Sequence, residues 1–279
     1  MFTTIISTSE LAPHLNGDWA IVDCRFDLHN EPWGREQYLT AHIPGATYAG
    51  LTPDLSSHPT GRNGRHPLPT IEALAATLGR LGIANDVQVV VYDQDTGTWA
   101  SRLWWLLRYA GHQAVAVLDG GWTAWTREGR PTRSGEEQRQ ATVFKPGARL
   151  EHPMLVDEVA AAVGDHTRVI VDARAPERYE GRVEPIDRVA GHIPGASNHF
   201  FKTNLTEGGT LLPAEALREN FSRDLKGHDP AQVIMYCGSG VTACQNLLAM
   251  EHAGLHGARL FPGSWSEWSS DPSRPIEKV

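Results

Sequence analysis

Cysteine is scarce: Cys24, Cys237 and Cys244 are the only three in 279 residues. An odd number without metal-ligand spacing excludes a disulfide framework and a structural zinc site, and leaves thiol chemistry. Positive charge is in deficit too, with 25 Lys+Arg against 33 Asp+Glu and a formal charge of -8. That balance argues against a broad phosphate-binding surface, so no nucleic-acid partner is expected. No apolar run reaches membrane-spanning length, and Met1 to Leu15 carry Ser, Thr, Glu, Pro and His where a secretory signal needs an apolar core. The expected protein is therefore soluble and cytoplasmic, with no membrane partner. The 41% hydrophobic content is enough for a substantial core, over a length that suits two domains.

What the chain does have is an internal duplication. Ile21-Val22-Asp23-Cys24-Arg25 returns as Ile170-Val171-Asp172-Ala173-Arg174, and Ala41-His42-Ile43-Pro44-Gly45-Ala46 as Gly191-His192-Ile193-Pro194-Gly195-Ala196. Gln88 to Tyr92 matches Gln232 to Tyr236, and Gly120, Trp122 and Trp125 match Gly263, Trp265 and Trp268. Blocks in the same order with slowly drifting offsets mean two related globular domains, since two copies of so long a unit cannot build a solenoid. The boundaries read from this are a first domain over 1–128, a polar Gly- and Pro-containing linker over 129–151, and a second domain over 152–279.

Short apolar runs alternate with helical patterns in each copy, which predicts an α/β fold with parallel sheets covered by helices. In the second copy Val169 to Val171 reads as a strand, Pro213 to Asp224 as a helix, Val233 to Tyr236 as a buried strand and Val241 to His252 as a helix. In the first, the helical face Ile71, Leu74, Ala75, Leu78 and Leu81 precedes the strand Val87 to Tyr92 and the helix Trp99 to Tyr109. Ligands of such sheets bind beyond the carboxyl ends of the strands. Cys237 stands at one, in the loop Cys237-Gly238-Ser239-Gly240 that leads into Val241-Thr242. Its glycines allow backbone N–H groups to converge, and the helix N-terminus adds partial positive charge. Such a cradle favours a thiolate and suits covalent catalysis, while the simpler alternative is a small buried residue at a strand end.

With its paired Val-Asp-x-Arg segments, paired His-Ile-Pro-Gly boxes, Asp119-Gly120-Gly121-Trp122 beside Gly263-Ser264-Trp265, and loop Cys237 to Thr242, the chain resembles the tandem-domain rhodaneses over nearly its whole length. The resemblance implies two rhodanese-like domains. The second would be a sulfurtransferase carrying sulfur as a persulfide on Cys237, and the first would have lost its cysteine, since Asp93 stands opposite Cys237. A loop without Arg or Lys is similar to that of the 3-mercaptopyruvate enzymes, whereas thiosulfate, a dianion, suits loops with two cations.

The resemblance further implies Cys237, Ser239, His66 and Asp54 as catalytic residues, with Asp54 and His66 forming a relay to Ser239 that serves the enolate of pyruvate. Gly238, Gly240, Val241 and Thr242 would line the substrate site, and Arg188 and Arg182 would meet the donor carboxylate. No metal and no cofactor is called for. The partners implied are a small-molecule sulfur donor and a thiol or cyanide acceptor, thioredoxin-like proteins among them. Thiosulfate as donor, with sulfite released, is the near alternative. A cysteine phosphatase or arsenate reductase would place an arginine where Ala243 stands, and a purely binding module would leave the cradle around Cys237 unexplained. His42, His192, Asp23 and Asp172 recur in both copies, including the one without a nucleophile, and are read as structural. Cys24 and Cys244 are read as inert packing residues.

Overall fold

The computed structural model describes residues 1–15 and 17–279 and divides the chain into two compact units. Unit 1 comprises Met1–Ser57, Pro69–Leu150 and Glu207–Leu211; unit 2 comprises His58–Leu68, Glu151–Thr206 and Leu212–Val279. Each thus includes a segment from the other half of the sequence. The polar stretch after residue 128 belongs to unit 1, where Gly135, Thr142 and Leu150 donate backbone hydrogen bonds to Leu39, Gly79 and Arg108.

Unit 1 holds five parallel strands, β1 (Ile5–Ile6), β2 (Ala20–Asp23), β3 (Ala46–Tyr48), β4 (Val89–Tyr92) and β5 (Val115–Leu118), in the order β1-β5-β4-β2-β3. Unit 2 holds β6 (Val169–Asp172), β7 (Ser197–Asn198), β8 (Val233–Tyr236) and β9 (Arg259–Leu260) in the order β7-β6-β8-β9. The second order repeats the first without its β1 edge. Runs such as Val89-Val90-Val91-Tyr92 and Val233-Ile234-Met235-Tyr236 are buried throughout, because helices cover both faces of a parallel sheet.

Equivalent residues build both cores. Ile21, Ile43, Ala46, Val90, Tyr92 and Trp125 pack in unit 1, and Ile170, Ile193, Ala196, Ile234, Tyr236 and Trp268 in unit 2. Asp23 and Asp172 are fully buried, each gripping the arginine two residues on through Nη2, at 2.6 Å to Arg25 and 2.7 Å to Arg174. Each guanidinium lies over a tryptophan, Trp122 at 4.6 Å and Trp265 at 4.8 Å. His42 and His192 donate through Nδ1 to the carbonyls of Tyr38 and Tyr179, both at 2.7 Å. These groups hold backbone in both copies, as their recurrence implied.

Candidate active site

Cys237 follows β8 directly, and the helix Thr242–His252 starts after the turn. Gly240 makes that turn at φ +73, and a Cβ there would lie 2.3 Å from the Pro262 carbonyl oxygen, so both conformation and space require glycine. The turn brings the Gly240 N–H to 3.2 Å from Cys237 Sγ, where it donates to the sulfur. On the other side Ser264 Oγ lies 4.0 Å from Sγ and accepts the Cys237 N–H at 3.1 Å. Ser264 has φ +54 and is fully buried, a left-handed conformation that costs a non-glycine residue about 1–2 kcal/mol. Cys237 itself is 2% exposed. The helix behind it is buried almost all round, and its Gln245 and Asn246 are hydrogen-bonded by Asn204 at 3.1 and 2.8 Å.

Two residues further, Ser239 Oγ sits 2.8 Å from His66 Nδ1, and both side chains are buried. His66 lies on His58–Leu68, the early segment that belongs to unit 2. The same segment brings Arg65. A Cβ built on Gly238 would lie 2.9 Å from Arg65 Nη2 and 3.6 Å from both terminal nitrogens of Arg178. Asp187 bridges the two guanidiniums, pairing with Arg65 Nη1 through one oxygen and with Arg178 Nη2 at 3.1 Å through the other. Arg178 also binds Glu184 at 2.7 Å, and Glu184 reaches Arg174 at 3.2 Å. Burial raises the Asp187 carboxyl, the nearby arginines pulling the other way. Burial pushes the Glu184 carboxyl up, but the Arg178 guanidinium and the backbone N–H groups of Asp187 and Ile186 hold it below its ordinary range.

A buried thiol under an N–H cradle, flanked by a serine–histidine pair and two guanidiniums, is arranged to hold an anion at sulfur and to bind an anionic reactant. The rhodanese-like domain model matches residues 7–128 and 155–271. The chain belongs to the rhodanese family. It is 43% identical over 277 residues, covering 98% of this chain and 97% of the other, to a Pseudomonas aeruginosa protein named as a probable 3-mercaptopyruvate sulfurtransferase. At 42% identity, with 98% and 96% covered, it is similar to a Mycobacterium tuberculosis protein provisionally named a thiosulfate sulfurtransferase. Among solved structures, 3-mercaptopyruvate sulfurtransferase from Leishmania major superposes with a TM-score of 0.84 at 33% identity, over 96% of this chain and 74% of that one.

The remaining expectations meet a mixed outcome in this rhodanese. Asp54 accepts from the Gly50 N–H at 2.8 Å and pairs with Arg80, all within unit 1, and burial raises its carboxyl. Its carboxylate is thus engaged by Arg80 and by the Gly50 N–H. Arg182 is exposed and paired with Glu180, and Arg188 is exposed. The nearest atoms around Gly238 belong instead to Arg65 and Arg178, because Asp187 and Glu184 draw those two guanidiniums inward. The loop carries no cation of its own, yet two stand beside it. Gly240 shapes the cradle, and Val241 and Thr242 begin the helix behind it. Sequence reasoning passed over Ser264 and Asp187. Ser264 had a signal, since it stands where the first copy has Gly121, which shares its φ of +54.

The other two cysteines are packed away. Cys244 Sγ donates to the Gly240 carbonyl at 3.3 Å. Burial pushes the Cys24 thiol well up, and the charges of Asp23, Asp93 and Asp54 push it the same way. No helix among the described residues is long and apolar enough to cross a membrane.

Proposed function

We propose that this rhodanese takes sulfur from 3-mercaptopyruvate as a persulfide on Cys237, releases pyruvate, and passes the sulfur to cyanide or a thiol, including thiols of thioredoxin-like proteins. The observation that carries this reading is the Ser239–His66 pair two residues from the nucleophile. The Cys237 thiolate attacks the donor sulfur, the carbon–sulfur bond breaks, and its electron pair passes into the enolate of pyruvate. With His66 in the Nδ1–H tautomer, the ring donates to Ser239 Oγ and leaves the serine hydroxyl hydrogen for the developing enolate oxygen. The proton carried in on the donor thiol accounts for the one that pyruvate gains at carbon. The Gly240 N–H and the helix N-terminus stabilise the persulfide anion as they do the thiolate. Attack by cyanide on the outer sulfur then forms thiocyanate and regenerates the thiolate. Arg178 is positioned for the donor carboxylate. Three unpaired cysteines suit a reducing compartment, which supports the cytoplasm as its place of action.

Thiosulfate is the second reading, favoured by the guanidiniums of Arg65 and Arg178 beside Gly238. Here the thiolate attacks the sulfane sulfur, and sulfite leaves with the electron pair, needing no proton. Initial rates with each donor, cyanide being the acceptor, decide between them. A higher kcat/KM for mercaptopyruvate is expected, and a higher value for thiosulfate would reverse the assignment.

A further inference from the structure

We propose that unit 1 carries a ligand site of its own, a cavity lined by β3 and residues 136–139 that takes a small aromatic carboxylate. Its volume is about 700 Å³, within the range of small-molecule sites, and every residue on its wall belongs to unit 1. Tyr38 and Tyr48 give it aromatic surface, and the Arg35 guanidinium lies over both rings, at 5.3 and 5.8 Å. Three polar atoms of wall residues are buried without a hydrogen-bond partner among the described residues: Arg35 Nη1, Thr47 Oγ1 and Arg139 Nε. Only 6% of Thr47 is exposed, and an unpaired hydroxyl buried so far is costly. All three atoms can donate and two belong to guanidiniums, so their complement is an acceptor of the carboxylate kind.

Charge also favours an anion. Arg35 pairs with Glu136 at 2.8 Å, Arg80 with Asp54, and Arg133 with Glu137 at 3.1 Å, so these charges cancel within the protein. Arg139 instead donates through Nη1 and Nη2 to the carbonyls of Trp19 and Asp18, at 2.8 and 2.9 Å, and neutral carbonyls leave its charge unmatched. Glu31 is the remaining acid on the wall, but it is exposed, where salt screens it. Unit 2 supplies a control. Thr47 pairs with Val22 and Ser197 with Val171 in the same register, and Ser197 Oγ is likewise buried without a partner among the described residues. The cavity beside Ser197 is only about 300 Å³ and no phenylalanine, tyrosine or tryptophan lines it. The hydroxyl marks the same place in both units, and the volume and aromatic wall are what single out unit 1.

The test is isothermal titration of the full chain with 2-naphthoate, beside its neutral counterpart 2-naphthamide, repeated on Thr47→Val and Arg139→Gln. A two-ring acid should bind at one site with a Kd on the order of 0.1 to 1 mM. The amide should bind about tenfold more weakly, the size of one charge-assisted contact, and Arg139→Gln should cost the acid a similar factor. Thr47→Val should weaken the acid about fivefold, as for one neutral hydrogen bond. The same variant removes an unpaired buried hydroxyl, so the free protein should melt no lower than the native chain. Should Arg139→Gln fail to fold, Thr47→Val decides alone, because it reads the same site without touching a bond that the free protein makes. No saturable binding, equal affinity for acid and amide, or unchanged affinity in a folded variant would overturn the proposal. So would a Thr47→Val chain that melts well below the native one, since its hydroxyl would then be serving the fold.

Discussion

Asp93 and Cys237 occupy the same place in the two sheets, at the end of the central strand and before a helix, and the loops they open have diverged. In unit 1 the Asp93 carboxylate accepts four backbone N–H groups, from Asp95, Gly97, Trp99 and Ala100, at 2.7 to 3.3 Å. In unit 2 the sulfur of Cys237 accepts one, from Gly240 at 3.2 Å. Behind both loops the frame of buried aspartate, arginine, histidine and tyrosine is held by matching bonds, such as Ile43 N–H to Tyr92 and Ile193 N–H to Tyr236, each 3.2 Å. The scaffold therefore makes an anion cradle in both units and does not by itself make chemistry. On the proposed mechanism the difference is a nucleophile in place of the carboxylate, Ser239 in place of Asp95, a glycine at 238 in place of Gln94, and Ser264 in place of Gly121.

The comparison predicts its largest effect at the nucleophile. Cys237→Ser should abolish turnover with either donor, and adding Asp93→Cys to that variant should restore none, since unit 1 lacks the serine and histidine around the thiol. Sulfur turnover by this double variant would mean that the cradle alone suffices. Next in size is Ser239→Ala, expected to lower kcat/KM for mercaptopyruvate about a hundredfold, at the lower end for a positioned proton donor, and to change thiosulfate turnover much less. Equal losses would assign Ser239 to the loop or the thiolate and not to the enolate.

Stability offers a smaller effect in unit 1. Burial pushes the Asp93 carboxyl from 3.8 up to about 6 against the pull of its N–H donors. A raised acid is protonated in the folded state while ionised in the unfolded one, so stability should fall as pH rises from about 4 to about 6, by at most about 3 kcal/mol. Melting midpoints across that range should show a steeper decline for the native sequence than for Asp93→Asn. Parallel declines would remove Asp93 as the cause. The smallest effects are expected for Cys24→Ser and Cys244→Ser, which should keep most of the activity, the one thiol being held protonated by burial and neighbouring carboxylates and the other bonded to a carbonyl.

Much of this was legible in the chain because the duplication supplies a control for each residue. Asp23 and Asp172, or His42 and His192, recur where only one copy has a nucleophile, which marks them as frame. The strand and helix ends were read to within a residue or two, since buried parallel strands are continuous apolar runs and the two turn glycines interrupt them. Arg65 and Asp187 were harder to see. Position 65 lies far from the cysteine in sequence, on a segment that belongs to unit 2, and only the resemblance, through the neighbouring His66, pointed to it, since nothing in local pattern does. Arg182 and Arg188 were favoured by nearness to the second His-Ile-Pro-Gly box, yet ion pairing decides which guanidinium turns inward, and that depends on where Asp187 and Glu184 come to lie. Asn204, Gln245 and Asn246 are a similar case, polar residues that only their mutual hydrogen bonds allow inside the core.

The central claim, that one cradle carries sulfur and its twin does not, is tested most directly by treating the full chain with mercaptopyruvate in the absence of acceptor and mapping the product by intact-protein and peptide mass spectrometry. The account predicts a gain of one sulfur, confined to the peptide that contains Cys237 and discharged by cyanide. A sulfur found on Cys24 or Cys244, or full labelling of Cys237→Ser, would contradict it.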